Sequence, residues 1–538
     1  MNRKLKYLVL GVLVVAASGA CTDDFEKIND NPNLPALWEI APINMIEEVV
    51  FYGADHFLER TRSFNGEVIQ YTVTGSSSTS VHRYNIPNTT GNGIWNSLFE
   101  LAANSSHMSQ LVYMPERANG NLQAIALTMK ALYMSNLTDI FGEVPCSEAF
   151  KGQPYYDDSG DSAVFVTSVV LNPQCDAQRD IYRQIYTWLE KASGLYNQSE
   201  QFPQGGARKD LLYGGDISKW EKFTNSLYLR LLMRLSNRST EKIVHSANGT
   251  EISVAEKIRE IFENTARYPV FESNDDNATL FFSGEYPNEN RFGKNEESAF
   301  RRDMSEQLNQ MMNEFHVVDE AGLERLERVS DPRLSTYFVS GSSWKGGISG
   351  KSDDEDEVNG NDANKAVLGD YTSPYSFMKY DEVLFILCEA AKRGFIPGGD
   401  VKALELYNKA IRTSILYWQG IDPAKEVGER EISNFLSGAH VVYDYTLGCI
   451  LNQKYVAMFW VGYEAWHDYR RTGYPNLAIG SGTFNDHVLP TRLVYPFRFS
   501  TTNPDSYNAA VERIKATYHG DDDMRTPVWW SKQAVEME

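Results

Sequence analysis

A glycine-rich segment from Gly346 to Ser352 is the part of this sequence closest to an enzymatic motif. It reads GGISGKS, whereas a phosphate-binding loop needs four residues between its first glycine and the Gly-Lys-Ser triplet, and here only three separate Gly346 from Gly350. An acidic run, Asp353 to Glu357, follows where a phosphate-binding helix would begin and would repel a phosphate. The spacing therefore predicts a surface loop and no nucleotide site.

Other catalytic patterns are missing from the sequence. It contains neither an H-E-x-x-H zinc helix nor a G-x-S-x-G nucleophile elbow, and its nine histidines form no recognisable cluster. A pair of acids far apart in sequence could still serve a glycoside hydrolase, which stays open as the enzyme alternative. We expect that the protein is not an enzyme, and we predict no catalytic residue and no cofactor.

Acidic clusters offer the hard oxygen ligands that calcium prefers, but none has the spacing of an EF-hand loop. They are Asp275 with Asp276, Asp353 to Glu357, and Asp521 to Asp523. Solvated acidic loops are the favoured interpretation, and no metal site is predicted.

The first 21 residues have the three parts of a secretory signal. Basic residues from Arg3 to Lys6 precede a short apolar stretch, and small residues lead to Cys21. The end of this segment resembles the lipobox of bacterial lipoproteins, although Ser18 stands where leucine is usual. The prediction is a signal peptide over residues 1–20 and a lipid anchor on Cys21, the alternative being an ordinary signal with a chance cysteine.

An acidic tract follows Cys21 and resembles the surface-export signal of Bacteroides lipoproteins; a solvated tether is the alternative. Residues 21–36 are therefore expected to form the anchor and tether, with the protein on the outer membrane facing the cell exterior. The formal charge of −21 argues against nucleic acid as a partner, since that would require dense Lys and Arg. Aromatic residues make up 12% of the chain, which suits either sugar stacking or a large core.

Four cysteines remain after Cys21, and none forms a C-x-x-C pair. Cys388 and Cys449 lie in apolar helical contexts and are predicted to be buried free thiols. Cys146 and Cys175 could pair, and the sequence leaves this open.

Helical periodicity dominates the rest of the chain. Apolar residues recur at helical spacing from Leu122 to Asn136, and the stretch from Ser218 begins with an apparent Ser218–Glu221 capping box. Two further helices, at about Phe377–Arg393 and Val401–Trp418, resemble a tetratricopeptide-type hairpin. They flank a breaker that contains Gly394, Pro397, Gly398 and Gly399.

Several ordered strings resemble those of the SusD/RagB family of nutrient-binding outer-membrane lipoproteins, in particular its SusD-like subgroup. They are Asp24–Asn33, Thr138–Pro145, Asp210–Asp216 leading into Lys219 and Trp220, Asp331–Arg333, Glu464–Pro475 and Pro490–Pro496. The resemblance implies a mainly α, SusD-like fold in which several tetratricopeptide-like hairpins pack against a loop-rich irregular part. It also implies a single domain over residues 37–538, and a partnership with a SusC-like TonB-dependent barrel transporter to which oligosaccharides are delivered.

Ligand residues differ among members of that family, so the site is sought in three long polar segments, 74–90, 271–297 and 340–370. The expected ligand-binding residues are aromatics in or beside these segments that look exposed, namely Tyr71, Tyr84, Trp95, Tyr286, Phe292 and Trp344. Trp95 opens an apolar run, so a core position is its alternative. Peptide capture by a protein of the same family is the alternative to oligosaccharide capture.

Overall fold

Helices dominate the structure because apolar side chains recur at three- and four-residue spacing through most of the chain. The computed structural model describes residues 40–74, 81–114, 117–157, 163–203, 205–296, 300–318, 324–352 and 359–538, and only the backbone of 314–318 and 324–328. Its helices of eight or more residues are, in order, α1 Ile46–Arg60, α2 Asn88–Leu111, α3 Gly120–Phe141, α4 Gln178–Leu195, α5 Ile217–Arg234, α6 Val254–Glu263, α7 Glu306–Asn313, α8 Tyr380–Arg393, α9 Gly399–Ile421, α10 Glu429–Leu436, α11 Leu447–Ala457, α12 Glu464–Thr472 and α13 Pro504–Tyr518. The predicted mainly α fold is confirmed.

The strands are short, and each sheet of the described chain contains two antiparallel strands. The strands are β1 Thr72–Val73, β2 Val144–Pro145, β3 Tyr155–Asp157, β4 Val164–Val166, β5 Cys175–Asp176, β6 Lys242–His245, β7 Glu251–Ser253, β8 Ala278–Leu280, β9 Asp303–Met304, β10 Glu314–Val318, β11 Glu324–Arg328 and β12 Tyr375–Met378. The pair formed by β8 and β12 places Leu280 opposite Tyr375. This pair fastens the polar segment 271–297 to the residues that lead into α8.

The predicted helical stretches are confirmed, but the predicted cap of α5 is wrong. The helix begins at Ile217, and its N-cap is Asp216, whose carboxylate accepts a hydrogen bond from the Lys219 amide at 3.1 Å. Ser218 is therefore already inside the first turn. Asp216 takes the cap because it has the extended backbone that an N-cap requires, and it lies two residues before the predicted cap Ser218.

The helical hairpin predicted near residues 377–418 is formed by α8 and α9. Gly394 ends α8 with a φ of 76°, a left-handed conformation that glycine adopts without a steric penalty. Phe377, predicted as the first residue of the hairpin, lies instead in β12. On the facing sides of the two helices, the Cys388 thiol donates to the Ala403 carbonyl at 3.2 Å, which shows how closely the small residues let them approach.

Buried ion pairs connect α5, α8 and α12. Arg230 on α5 contacts Glu382 on α8 at 2.5 Å, and Arg234 on α5 contacts Glu464 on α12 at 2.6 Å. Arg471 on α12 binds Glu389 on α8 at 2.5 Å, with both side chains fully buried. The C-terminal string Glu464–Pro475 thus has a structural role, since its charged residues hold three helices together.

The four described cysteines are free thiols, so Cys146 and Cys175 do not pair in this structure. Both are buried, and burial raises the pKa of each thiol to about 12, which keeps them protonated and unreactive. Cys388 is buried as predicted, whereas Cys449 is half-buried.

Residues Pro42–Glu538 form one compact unit. Within the described ranges, no helix combines the length and apolar character needed to cross a bilayer. The signal segment, Cys21, the acidic tract and the Asp353–Glu357 run lie outside the described residues.

Candidate ligand-binding groove

An open groove of about 590 Å³ lies where the polar segment 271–297 meets the C-terminal half of α9 and the start of α5. Its volume falls in the range of small-ligand sites. We call it the groove and define it by three aromatic residues and four polar ones: Tyr213, Phe281 and Tyr417, with Lys219, Asn274, Asp275 and Asn277.

Phe281 is the most exposed aromatic ring of the groove, with 65% of its surface accessible. It follows β8 directly, and the alternation of side chains along an extended chain turns its neighbours Leu280 and Phe282 into the protein. Phe282 packs edge-on against Phe51 at 5.8 Å, whereas none of the described aromatic rings packs against Phe281. A ring held in this way offers an apolar face to a ligand.

The two tyrosines of the groove are held in place by their hydroxyl groups. Tyr213 donates to the Asp276 carbonyl at 2.9 Å. The Tyr417 hydroxyl pairs with the Ser376 hydroxyl at 2.8 Å, and the Lys379 ammonium lies 4.8 Å from the centre of its ring. Burial raises the pKa of Tyr417 to about 12, so this tyrosine remains neutral. Both rings are therefore positioned before any ligand arrives.

Two of the polar side chains of the groove are hydrogen-bonded to the protein, and the other two are free to bind a ligand. The Asn277 side chain accepts from the Tyr380 amide at 2.7 Å at the start of α8, and the Asn274 amide donates to the Thr413 carbonyl at 3.1 Å on α9. The Asp275 carboxylate and the Lys219 ammonium make no hydrogen bond or ion pair with the described protein, so both can bind a ligand. One acid and one base leave the groove close to neutral.

Two of the six aromatics expected in the site have exposed surface. Tyr286 is 85% exposed, with the Lys294 ammonium 5.5 Å from the centre of its ring. Trp344 is half-buried. Neither residue lines the groove.

The expectation of exposure is wrong for Tyr71, Tyr84, Trp95 and Phe292, all of which are buried. The Tyr71 ring stacks on Tyr455 at 4.3 Å and its hydroxyl donates to the Tyr455 carbonyl. The Tyr84 hydroxyl meets the Gln70 amide at 3.4 Å. The first contact joins residues 384 positions apart and the second joins residues 14 positions apart, and the polar neighbours in the sequence do not reveal either of them.

Trp95 and Phe292 are covered by other aromatic and cationic side chains. Trp95 packs against Phe141 at 5.0 Å and Phe499 at 5.1 Å, so its core alternative is the correct one. The Arg62 guanidinium lies 5.1 Å from the centre of the Phe292 ring. None of these four rings is open to a sugar.

Phe281 and Tyr417 were not predicted as site residues, for different reasons. Phe281 lies in segment 271–297, and its position between Leu280 and Phe282 was the available signal, because alternation along a strand places it on the opposite face. Tyr417 lies on a helix whose other aromatics are core residues, and nothing in its spacing marks it as different.

In the acidic pair Asp275–Asp276, the second carboxylate is already engaged by the protein. The Asp276 carboxylate accepts from the Lys222 ammonium at 3.1 Å and from the Glu272 amide at 2.8 Å, so it closes its own turn. Within the described part of the chain, no three His, Cys, Asp or Glu side chains are grouped in a way that could hold a metal ion.

The helical fold and the open groove are together typical of a ligand-binding protein. The SusD-like family model described as "Starch-binding associating with outer membrane" matches residues 32–496. The chain therefore belongs to the SusD-like family, and it is a nutrient-binding protein of a family associated with the outer membrane. The family's description names binding and names no catalytic activity.

Solved structures share this fold along nearly their whole length. A chitin-binding protein matches with a TM-score of 0.69 and 23% identity over 91% of this chain and 99% of that one. A SusD homologue from Parabacteroides distasonis gives 0.71 and 21% over 92% and 98%, and one from Bacteroides fragilis gives 0.68 and 20% over 90% and 98%. Nothing among curated proteins matches the chain significantly.

Proposed function

We propose that this protein captures oligosaccharides at the cell surface and delivers them to a SusC-like TonB-dependent barrel transporter. The family supports the role, and the groove supports the ligand class. The observation that carries the proposal is the exposed ring of Phe281 beside unpaired polar groups, because sugars bind through stacking on an aromatic face together with hydrogen bonds to their hydroxyls.

The near-neutral lining favours an uncharged glycan. Asp275 can accept from sugar hydroxyls and Lys219 can donate to them, while Tyr213 and Tyr417 supply two further ring surfaces. The exposed Tyr286 and the half-buried Trp344 remain candidates for contacts with a longer chain, outside the groove itself.

Phe281→Ala is expected to weaken oligosaccharide binding by about tenfold, or about 1.4 kcal/mol, because it removes the stacking surface. Calorimetric titration of the purified protein with neutral oligosaccharides, including starch and chitin fragments, measures this. Phe497→Ala is the matched control, since Phe497 is also largely exposed, at 73%, but does not line the groove. Equal affinities for both variants would move the binding site elsewhere.

The same titrations distinguish oligosaccharide capture from peptide capture and from glycoside hydrolysis. Saturable binding of peptides without binding of any glycan would replace oligosaccharide capture by peptide capture, and shortened glycan products would identify a glycoside hydrolase. In cells, slower uptake of the bound glycan by the Phe281→Ala strain than by the Phe497→Ala strain would link the groove to transport.

We also propose that Cys21 carries the lipid anchor, that residues 1–20 are removed and that residues 21–36 form the tether of a single domain spanning 37–538. More than one acyl chain on Cys21 would hold the protein stably in the outer membrane. Cys21→Ser is expected to abolish incorporation of an alkyne-labelled fatty acid, whereas Cys449→Ser is expected to retain it. Undiminished labelling of the Cys21→Ser protein would show that the cysteine is not the acylated residue.

A further inference from the structure

A small cavity of about 10 Å³ lies behind the groove, among the residues that lead into α8, the end of α9 and the turn that follows α11. Tyr417 and Ile421 line both the cavity and the groove, so the two are neighbours. Its free volume suits one water-sized atom and is too small for an organic ligand. We call it the indole cavity and define it by its polar side chains: Ser376, Lys379, Tyr417, Trp418 and Trp460.

Two indole N–H groups on the wall of this cavity have no acceptor. Trp418 is 4% exposed and Trp460 is 5% exposed, and the Nε1 atom of each is buried without a hydrogen-bond partner in the described chain. An indole nitrogen can only donate, so on folding each group loses the hydrogen bond that water supplies to it. Buried donors without an acceptor are costly and rare. Two of them around one cavity therefore indicate that an acceptor binds there.

The backbone of Trp460 has a conformation that bulky residues rarely adopt. Its φ is 68°, in the left-handed region, where the side chain is sterically disfavoured. Such conformations persist only where the surrounding structure imposes them, and they are concentrated at functional sites. The turn after α11 places the Trp460 ring on the cavity wall, 5.6 Å from the ring of Phe459. The fold thus holds this indole at the cavity against a local conformational preference.

Lys379 supplies a positive charge to the indole cavity. It is 1% exposed, and its ammonium donates to the Asp381 carboxylate at 3.0 Å and to the Ala457 carbonyl at 2.8 Å. An ammonium has three N–H groups, so one is left for a ligand. Burial lowers the pKa of Lys379, and Asp381 opposes that effect without lining the cavity itself. A negative charge in the cavity would further stabilise the protonated lysine.

The donors of the indole cavity outnumber its acceptors. Its side-chain oxygen atoms are the hydroxyls of Ser376 and Tyr417, which bond to each other at 2.8 Å, and Ser376 also bonds to Thr279 at 2.7 Å. No acidic residue lines the cavity in the part of the chain that the structure describes. A water molecule needs acceptors for its two hydrogens, whereas an anion needs only donors. The lining therefore favours an anion over a water molecule.

We infer that the indole cavity binds one monatomic anion of the size of chloride, held by the N–H groups of Trp418 and Trp460 and by the ammonium of Lys379. Hydrogen bonds to a charged acceptor are stronger than those between neutral groups, which suits a buried site. The anion supports the wall that carries Tyr417 and so helps to shape the groove. The inference concerns a resident ion and does not rest on the function proposed for the groove.

The first test is diffraction from crystals of the unmodified protein grown with bromide as the only halide. Bromide has the chemistry of chloride and scatters anomalously. We expect an anomalous peak in the indole cavity, within hydrogen-bond reach of both indole nitrogens. A cavity that holds water, with no anomalous signal, would overturn the inference.

Urea unfolding followed by circular dichroism tests the same binding in solution. The folding equilibrium constant should be about tenfold larger in about 0.1 M chloride than in the same concentration of gluconate, as expected for a ligand at about ten times its Kd. Gluconate is too large for the cavity, and equal ionic strength keeps the screening of surface charges the same. Equal stability in the two salts would contradict the inference.

Substitution of single tryptophans locates the effect. Trp418→Phe and Trp460→Phe each remove one N–H donor and keep an aromatic ring, so each should lose most of the stabilisation by chloride, whatever its stability in gluconate. Trp466→Phe is the matched control, because the buried indole of Trp466 donates to the Pro490 carbonyl at 2.7 Å and does not line the cavity. It should keep the full chloride effect.

Two further outcomes are informative. A chloride effect that persists unchanged in both Trp418→Phe and Trp460→Phe would place the anion elsewhere, and the inference would be wrong. Phe281→Ala should keep the chloride effect even if the groove proves to bind no glycan, so failure of the function proposed for the groove remains distinguishable from failure of the anion site.

Discussion

Arg471→Met is expected to lower the free energy of unfolding by about 3–5 kcal/mol, because it leaves a buried carboxylate without its main partner. The Arg471 guanidinium is fully buried and binds Glu389 through two nitrogens, at 2.5 and 2.8 Å. It also donates to Ser236 at 2.8 Å and to Asp468 at 2.8 Å. One side chain therefore joins α12 to α8 and to the residues that follow α5.

The pKa of Glu389 shows that Arg471 stabilises the charged form of this buried carboxylate. Burial by itself would raise the pKa of Glu389, but the charge and hydrogen bonds of Arg471 hold that pKa below its ordinary value. Methionine has a similar reach but no charge. Without the Arg471 charge, Glu389 would have to become protonated or be exposed to water. Arg393, at 2.7 Å, is the partner that remains and limits the loss.

Arg412→Met is the matched control for Arg471→Met. Arg412 pairs with Glu429 at the surface, where a salt bridge contributes about 0–1 kcal/mol. Urea unfolding followed by circular dichroism measures both variants. Equal losses of stability would mean that the buried pair contributes no more than the exposed one.

Acidification from pH 6.5 to pH 4.5 is expected to destabilise the protein through two buried histidines. Burial, with Arg234 and Arg470 nearby, lowers the pKa of His467 well below 6.5, and burial lowers that of His56 to about 3. In the unfolded chain both rings take up a proton near pH 6.5, while in the folded protein they remain neutral. The unfolded state therefore binds more protons in this window, and stability falls as the pH falls.

The expected magnitude is about 1.4 kcal/mol per pH unit for each histidine, or at most about 5 kcal/mol for both across two units. His467 accepts from Arg470 and faces the Asn136 amide oxygen at 3.3 Å, an arrangement that leaves no room for a second positive charge. Buried carboxyls with a raised pKa, such as Asp139, oppose the effect at the lower end of the range.

The pH dependence of individual variants isolates the contribution of His467. His467→Gln should flatten the dependence of unfolding free energy on pH by up to about 1.4 kcal/mol per unit, whatever its effect on stability at pH 7. His245→Gln changes an exposed histidine and should leave the slope as it is. A slope that is the same in both variants would show that His467 is not the titrating group.

The spacing of apolar residues predicted the helices well, but the cap residues predicted the helix ends poorly. The stretch Leu122–Asn136 lies inside α3, and the hairpin of α8 and α9 appears where the glycine-rich breaker indicated it. The cap of α5 differed because Ser218 and Asp216 both suit an N-cap by residue type, and only the backbone conformation distinguishes them.

The helical class and the family resemblance could be predicted from the residues alone, because both depend on local periodicity and on ordered strings of residues. The exposure of the aromatics depends on tertiary contacts: Tyr71 and Trp95 are covered by residues far away in the chain, while Phe281 is not. The groove likewise exists only because segment 271–297 meets α9 and the start of α5. Burial and cavity shape are set by contacts between distant segments, and the spacing of residues along one segment does not contain that information.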